Sequence, residues 1–262
     1  MTEWRDELAG GRIVVALDDA ALAEWTLRLA TKLASALRAE LSGLFVEDVD
    51  LLRLAGLPIA KESGFAMPAP RRVAPADVER ALRLQAQQVR RLLEEAAVRV
   101  RIQWSFQVAR GRVWDAALAR AGERDLVLLA RRSLGQTAGA ASGEEAPRAV
   151  LALFDGEAAA YRALGAAAHL AHATRCGLGV LIPAENSQAF QHLREKADRW
   201  LEERGWKAEG CQRIPAALAT TLARATRERR SAALVAPGNA LAGEGTLREW
   251  LRAIPCPMLV VP

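Results

Sequence analysis

The sequence is poor in aromatic residues, although it is rich in apolar ones. Aromatic side chains make up 5% of the 262 residues, whereas 51% of the residues are hydrophobic. A sizeable core must therefore be built from Ala, Leu and Val. The length allows either one large domain or two small ones.

Cysteines and long apolar runs are also scarce. Cys176, Cys211 and Cys256 are too few and too scattered for a disulfide framework, and they form no C-x-x-C pair, which fits a reducing compartment. Cys256 lies between two prolines with no histidine nearby in the sequence, so we expect it to be packed rather than nucleophilic. The polar N-terminus is unlike a signal peptide, and no apolar run approaches the roughly 18 residues of a membrane span. We expect a soluble, cytoplasmic protein with no membrane partner.

Positive charge is in modest excess, and it is spread along the chain. The formal net charge is +5 and the calculated pI is 9.6, but no basic stripe is interleaved with aromatic residues. Since that electrostatic footprint is missing, we expect no nucleic-acid partner.

The G-x-S-x-G, H-E-x-x-H, Walker and G-x-G-x-x-G motifs are absent, which predicts that the chain is not an enzyme. His169 and His172 share a helix face without a third ligand nearby, so no metal site is predicted.

Short apolar runs alternate with longer segments of helical periodicity, a pattern typical of βαβ units with a parallel sheet. A proline-containing loop at 47–76, with a short helical piece at 49–54, is too long for an ordinary connection. Asp77 is expected to cap the helix that follows, and Pro215 to lie in the first turn of a later one. The predicted strands are 13–17, 41–46, 102–108, 125–130, 149–154, 177–182, 208–214, 232–236 and 258–261, and the predicted helices are 21–38, 77–99, 113–121, 158–174, 187–204, 215–229 and 247–252.

An internal repeat is the strongest signal in the sequence. IVVALDDAALAEWTLRLATKLA, from residue 13, aligns with VLALFDGEAAAYRALGAAAHLA, from residue 150, which predicts two tandem units at 1–147 and 148–262. Only 18 residues separate Ala130 from Ala149, too few for a fourth helix, a fifth strand and a new first strand. Either the first unit lacks its last strand, or 149–154 is the only strand at the junction. A missing strand would leave an edge for the partner unit or another chain to cover.

These motifs, taken in order, resemble the universal stress protein family. Asp18 and Asp155 each follow a first strand, ARGRV at 109–113 matches the turn after the third strand, and IPCPMLVV at 254–261 matches the closing strand. The resemblance covers nearly the whole chain. It implies an α/β fold of two tandem Rossmann-like, adenine nucleotide α-hydrolase-like units, each a parallel sheet flanked by helices. It also implies a stress-associated regulatory or binding protein that forms an intramolecular pseudo-dimer, with a homodimer or protein partner.

The resemblance further implies where adenine nucleotide would bind. In ATP-binding members, the Asp after the first strand reads the adenine, and a Gly-x2-Gly-x9-Gly-Ser/Thr loop after the fourth strand cradles the phosphates, because glycines let backbone N–H groups approach them. The positions that correspond in the first unit are Asp18, Val46, Gly135 and Thr137, and those in the second unit are Asp155, Gly238, Gly243, Gly245 and Thr246.

Both phosphate loops depart from the pattern. Ala130 stands where a glycine is usual in the first unit. In the second unit only six residues lie between Gly238 and Gly245, Pro237 removes one N–H donor, and Glu244 brings negative charge. Losing two charge-assisted hydrogen bonds costs about 3–6 kcal/mol. We therefore expect no required cofactor and, at most, weak ATP binding; the alternative is an ATP/AMP-binding sensor with weak or no hydrolysis.

Overall fold

The fold is described from a computed structural model, which covers residues 11–49, 53, 61–62, 71–72, 75–130, 147–216, 218–241 and 246–262. Strands and helices alternate along both halves, as the apolar periodicity predicts. The elements of the N-terminal half are β1 (Arg12–Leu17), α1 (Ala23–Leu37), β2 (Glu40–Asp48), β3 (Lys61–Glu62), β4 (Arg71–Arg72), α2 (Pro75–Val100), β5 (Trp104–Gly111), α3 (Val113–Leu118) and β6 (Leu126–Ala130).

The C-terminal half repeats the order without a counterpart of β3 and β4, and it adds a final helix and strand. Short 3-10 turns follow the first strand of the N-terminal half, at Ala20–Leu22, and the fourth strand of the C-terminal half, at Gly238–Leu241. The elements of the C-terminal half are β7 (Ala149–Leu153), α4 (Ala158–Thr174), β8 (Gly177–Pro183), α5 (Ser187–Glu202), β9 (Gly210–Ile214), α6 (Ala219–Glu228), β10 (Ser231–Pro237), α7 (Thr246–Ala253) and β11 (Met258–Val261).

One sheet runs through both halves. Its nine strands lie in the order β5-β2-β1-β6-β11-β10-β7-β8-β9, and β3 and β4 form a separate two-stranded pair. All neighbours within each half are parallel, whereas β11 pairs with β6 antiparallel. We call this β6–β11 contact the seam. The sequence predicted parallel sheets but not the antiparallel junction between them.

The seam resolves what happens at the junction. β7 pairs with β8 and β10, so it is the first strand of the C-terminal half. In the part of the chain that the structure describes, β6 is followed by no fifth strand of its own half. Its edge is covered instead by β11, with Met258 opposite Leu129 and Val260 opposite Val127. Among the described residues this arrangement agrees with the alternative in which the first unit lacks its last strand; residues 131–146 lie outside them. The 147/148 boundary itself stays a prediction.

Helices cover both faces of the sheet. Along α2, residues Leu82, Ala86, Val89, Leu93 and Ala97 are buried at intervals of three and four, so one stripe of this helix faces the sheet. The first face carries α1, α2, α4 and α5, and the opposite face carries α3, α6 and α7. Parallel strands buried on both faces explain why β1, β6, β7 and β11 are continuous apolar runs.

The alanine-rich helix α4 lies at the centre of its layer. It packs against α1 across the seam, and nearly every residue between Ala160 and Ala171 is buried. A helix that is apolar on all sides needs neighbours on all sides. Its small side chains let those neighbours approach closely, which accounts for a core with so few aromatic residues.

A buried carboxylate ties the start of β1 to the turn before β6. Asp125 accepts hydrogen bonds from the Arg12 backbone N–H (3.0 Å), the Arg12 guanidinium (2.6 Å to Nη2) and the Gly122 N–H (2.8 Å). Burial opposes ionisation of Asp125, but the hydrogen bonds from Arg12 and Gly122 outweigh it and lower its pKa below the ordinary value. The same pairing raises the pKa of Arg12.

Several predicted element ends were wrong. Helix α2 begins at Pro75, so Asp77 lies in its first turn rather than at the cap. Helix α6 begins at Ala219, and Pro215 therefore precedes it. The third strand is β5 at Trp104–Gly111 instead of 102–108, and it follows a helix that ends at Val100. The predicted helical piece at 49–54 lies largely outside the described residues. Among the described helices, none is both long and apolar enough to cross a bilayer.

The seam predicts a large cost for shortening Leu259, which is fully buried opposite Leu128. We expect Leu259→Ala to lower the free energy of unfolding by about 2–5 kcal/mol, since the cavity cannot collapse in a sheet centre. Leu118→Ala, at a side chain on α3 that is 40% exposed, is the control and should cost less than about 1 kcal/mol. Urea denaturation followed by circular dichroism measures both, and equal effects would contradict the prediction.

Asp125 predicts a stability contribution that disappears in acid. Because its folded pKa is lowered, the contribution is present above the unfolded pKa of about 3.9 and is lost as pH falls through the folded value. We expect Asp125→Asn to lower unfolding free energy by about 1–3 kcal/mol near pH 7, with a smaller difference from wild type below pH 4. The exposed carboxylate Glu24, replaced by Gln, should change stability by less than about 1 kcal/mol. A difference that stays constant with pH would refute this assignment.

Candidate functional site

The two aspartates predicted from the repeat lie at corresponding places in the sheet. Asp18 directly follows β1, whose last residue, Leu17, lies beside Phe45 of β2 and Ala130 of β6. Asp155 follows β7 after one intervening residue, Phe154, and β7 has β8 on one side and β10 on the other. In parallel α/β sheets, ligands bind in the crevice beyond the carboxyl ends of the strands. Each aspartate therefore stands where such a crevice is expected.

The seam places these two aspartates at opposite ends of the sheet, measured along the direction of the strands. Strands β1 and β6 are parallel, β6 and β11 are antiparallel, and β11, β10 and β7 are parallel. The carboxyl end of β1 consequently points away from the carboxyl end of β7. Asp18 and Asp155 therefore belong to two separate candidate sites.

The Asp155 carboxylate is already engaged by the protein. Its Oδ1 accepts a hydrogen bond from the Glu157 N–H (3.0 Å), and its Oδ2 accepts one from Asn239 Nδ2 (3.4 Å). The contact with Asn239 is long and exposed, so a ligand could replace it at small cost. In the first half the corresponding turn is held by Asp19, whose Oδ1 accepts a hydrogen bond from the Ala21 N–H (2.8 Å).

The residue after Asp155 is a glycine chiefly because of its backbone conformation. Gly156 has a φ of +87°, which side chains other than glycine rarely adopt. A Cβ built on it would also lie 2.6 Å from Leu193 Cδ2. Gly156 therefore makes the turn into α4 and brings α5 close to the end of β7.

Gly238 lies close to the backbone of Val261 and Pro262 in its own chain. A Cβ at this position would lie 3.2 Å from Pro262 Cα and 3.3 Å from the Val261 carbonyl oxygen. The glycine is thus accounted for by packing of β10 beside β11. Thr246 begins α7, as the motif requires. Gly135, Thr137, Gly243 and Gly245 lie outside the described residues, so the phosphate-loop assignments remain predictions.

Val46 can offer a ligand only its backbone. It is the first residue of β2 beyond the end of β1, and its side chain is fully buried in the core on the α3 face. The next residue, Glu47, is also buried, and its Oε2 accepts a hydrogen bond from Arg110 Nε at 2.7 Å. This bond raises the pKa of Arg110. Sequence reasoning missed the pair, because Glu47 and Arg110 become neighbours only when β2 and β5 align.

Cysteine and histidine are the residue types in this chain most able to do catalytic or metal chemistry. Burial raises the pKa of Cys256 to about 12, so its thiol stays protonated at neutral pH. His169 is buried and packs edge-on against Trp206, with ring centroids 5.4 Å apart. No group of three or more His, Cys, Asp or Glu side chains within the described residues could hold a metal ion.

No family model matches the sequence, and no curated protein sequence matches it significantly. Among solved structures, a universal stress protein from Archaeoglobus fulgidus DSM 4304 aligns over 97% of this chain and 96% of its own, with 13% identity and a TM-score of 0.53. A universal stress protein in complex with cAMP aligns over 45% of this chain and 98% of its own, at 20% identity and a TM-score of 0.39. The cytoplasmic domain of a prokaryotic cation chloride cotransporter aligns over 96% and 95%, at 9% identity and a TM-score of 0.49. The full-length alignment with the Archaeoglobus protein shows that this chain has the fold of a universal stress protein.

Proposed function

We propose that the chain is a non-catalytic, stress-associated regulatory or binding protein of the universal-stress-protein type that acts in the cytoplasm as an intramolecular pseudo-dimer. The observation that carries the proposal is the seam, in which the last strand of the C-terminal half completes the sheet of the N-terminal half. Packing of α1 against α4 supports the same arrangement on one face. Two halves that share one sheet behave as a pair of subunits joined covalently.

The absence of a catalytic role is proposed from the chemistry at the carboxyl edges. Asp155 uses both oxygens in contacts with its own chain, and Arg110, a cation near the first edge, is paired with Glu47. These contacts compete with a substrate or phosphate for the same groups, although the contact between Asp155 and Asn239 is long and exposed. Such edges suit a scaffold that presents its surface to a protein partner or to a second copy of the chain.

The pseudo-dimer can be tested by splitting the chain. We expect 1–147 expressed alone to aggregate, since β6 would expose an unpaired apolar edge. Co-expression with 148–262 should yield a soluble complex, because β11 again covers that edge. Size-exclusion chromatography of each piece and of the pair provides the measurement. Two soluble pieces that do not associate would show that the halves are independent, and the proposal would fail.

A nucleotide sensor is the second candidate, favoured by the placement of Asp18 and Asp155 beyond β1 and β7. On the leading proposal, titration calorimetry with MgATP, AMP or cAMP should show no saturable binding below about millimolar concentration, consistent with the departures in both loops. Protein denatured after gentle purification should likewise release no stoichiometric nucleotide.

The contrary result is equally informative. Micromolar binding that is abolished by Asp18→Ala or Asp155→Ala would make the sensor the better description. Asp198→Ala is a matched control, because this carboxylate lies on α5 and pairs with Arg194 at 3.4 Å. Nucleotide binding should not respond to that change.

A further inference from the structure

A cleft of about 770 Å³ lies where the two halves meet, on the α4 side of the carboxyl end of the C-terminal half. Its walls are the first turns of α4, the C-terminal part of α5 and the turn that precedes β6. The seam brings these elements together, because β6 and β11 run in opposite directions. Arg162 of α4 spans the junction by donating hydrogen bonds to the backbone oxygens of Pro262 and Glu123, both at 2.8 Å.

The cleft is strongly cationic. Only one of its basic side chains is paired with a carboxylate of the described residues: Arg204, whose Nη1 lies 3.3 Å from Glu203 Oε2. Arg162 is held by backbone oxygens, and the remaining basic side chains come from the turn before β6 and from α5, so they are not simply one solvated helix face. The lining includes the cations Arg124, Arg162, Lys196, Arg199 and Arg204 and the carboxylates Glu123 and Glu203.

Aromatic rings form part of the wall, but their faces are occupied. The guanidinium of Arg204 lies over Trp200, 4.2 Å from the ring centroid. Tyr161 lies against the same ring, at a centroid distance of 5.9 Å and an angle of 45°. Since Arg204 and Tyr161 already contact Trp200, stacking of a planar ligand is disfavoured, and recognition must rest on charge. The stacked Arg204 is also held by the Trp200 carbonyl, which fixes its orientation.

We propose that this cleft binds a small polyanion that carries two or more phosphate groups. Arginine forks match phosphate oxygens with paired hydrogen bonds, and several uncompensated cations around a concave surface raise the local concentration of anions. Arg124 comes from the turn before β6 and Lys196 and Arg199 come from α5, so the cations are contributed by separate elements, and the volume suits a molecule of nucleotide size. Asp18, Val46, Asp155, Gly238 and Thr246 are not among the residues that line the cleft, although Ala158 in its lining follows Asp155 by three residues.

Titration calorimetry with inorganic tripolyphosphate at low ionic strength tests the proposal. Wild-type protein should bind one equivalent saturably, with affinity that falls as salt is raised from about 50 to 300 mM, because screening weakens charge pairing. The double substitution Lys196→Ala and Arg199→Ala should weaken binding about ten- to hundredfold through loss of two charge-assisted contacts. Arg124→Ala, in the turn before β6, should weaken binding as well.

The matched control is Arg224→Ala combined with Arg227→Ala, which removes two exposed cations from α6 on the other face of the sheet. It should leave tripolyphosphate affinity within about twofold, and circular dichroism should show native folding for every variant. Three results would overturn the proposal. They are no saturable binding up to about 1 mM, equal loss in the cleft and control variants, and loss on Asp155→Ala with no loss in the cleft variants.

Discussion

The antiparallel contact between β6 and β11 is the constraint on which the rest of the molecule depends. Without it, β6 would present an open edge of buried apolar residues, and the sheet would divide into four and five strands. The contact also brings α1 and α4 into one layer and sets the turn before β6 beside the end of β11. The core, the direction of the two candidate edges and the cationic cleft all follow from this single pairing.

The opposite strand directions of the two halves separate two candidate sites that a fully parallel sheet would place at the same end. Asp18 and Asp155 occupy opposite edges, so no ligand of ordinary size contacts both. Within each half, however, the local rule of α/β sheets still holds, since each aspartate follows a first strand that lies between two neighbours. The cationic cleft is different from these two sites, because it is formed by elements of both halves.

Much of the architecture could be predicted from the sequence because apolar periodicity is a local property. The alternation of strands and helices, the repeat and the positions of Asp18 and Asp155 all follow from patterns within short windows. The central position of β11 could not be predicted in this way, because it depends on which edge a distant strand covers. Element ends also escaped prediction where packing decides them, as at Pro215 and at the displaced strand β5.

The site was harder to predict than the fold, for a physical reason. A motif identifies Gly238 as a candidate, but it cannot distinguish a glycine that lets a phosphate approach from one that lets the Pro262 backbone approach. A motif also cannot predict that Glu47 pairs with Arg110, because that contact depends on strand register. It cannot predict that Arg124 and Arg199 line one cleft, because that depends on the seam. Residues in contact through tertiary structure leave no signal in the spacing of the chain.

The central place of β11 also has a consequence for biosynthesis. This strand emerges from the ribosome after every other strand of the sheet, and residues 131–257 intervene between it and its partner β6. At the usual rates of translation, β6 therefore waits on the order of ten seconds with an uncovered edge. An uncovered apolar strand edge is a template for pairing with another chain, so this interval favours aggregation. Synthesis rate and chaperone supply thus bear on the yield of this fold as directly as its equilibrium stability does.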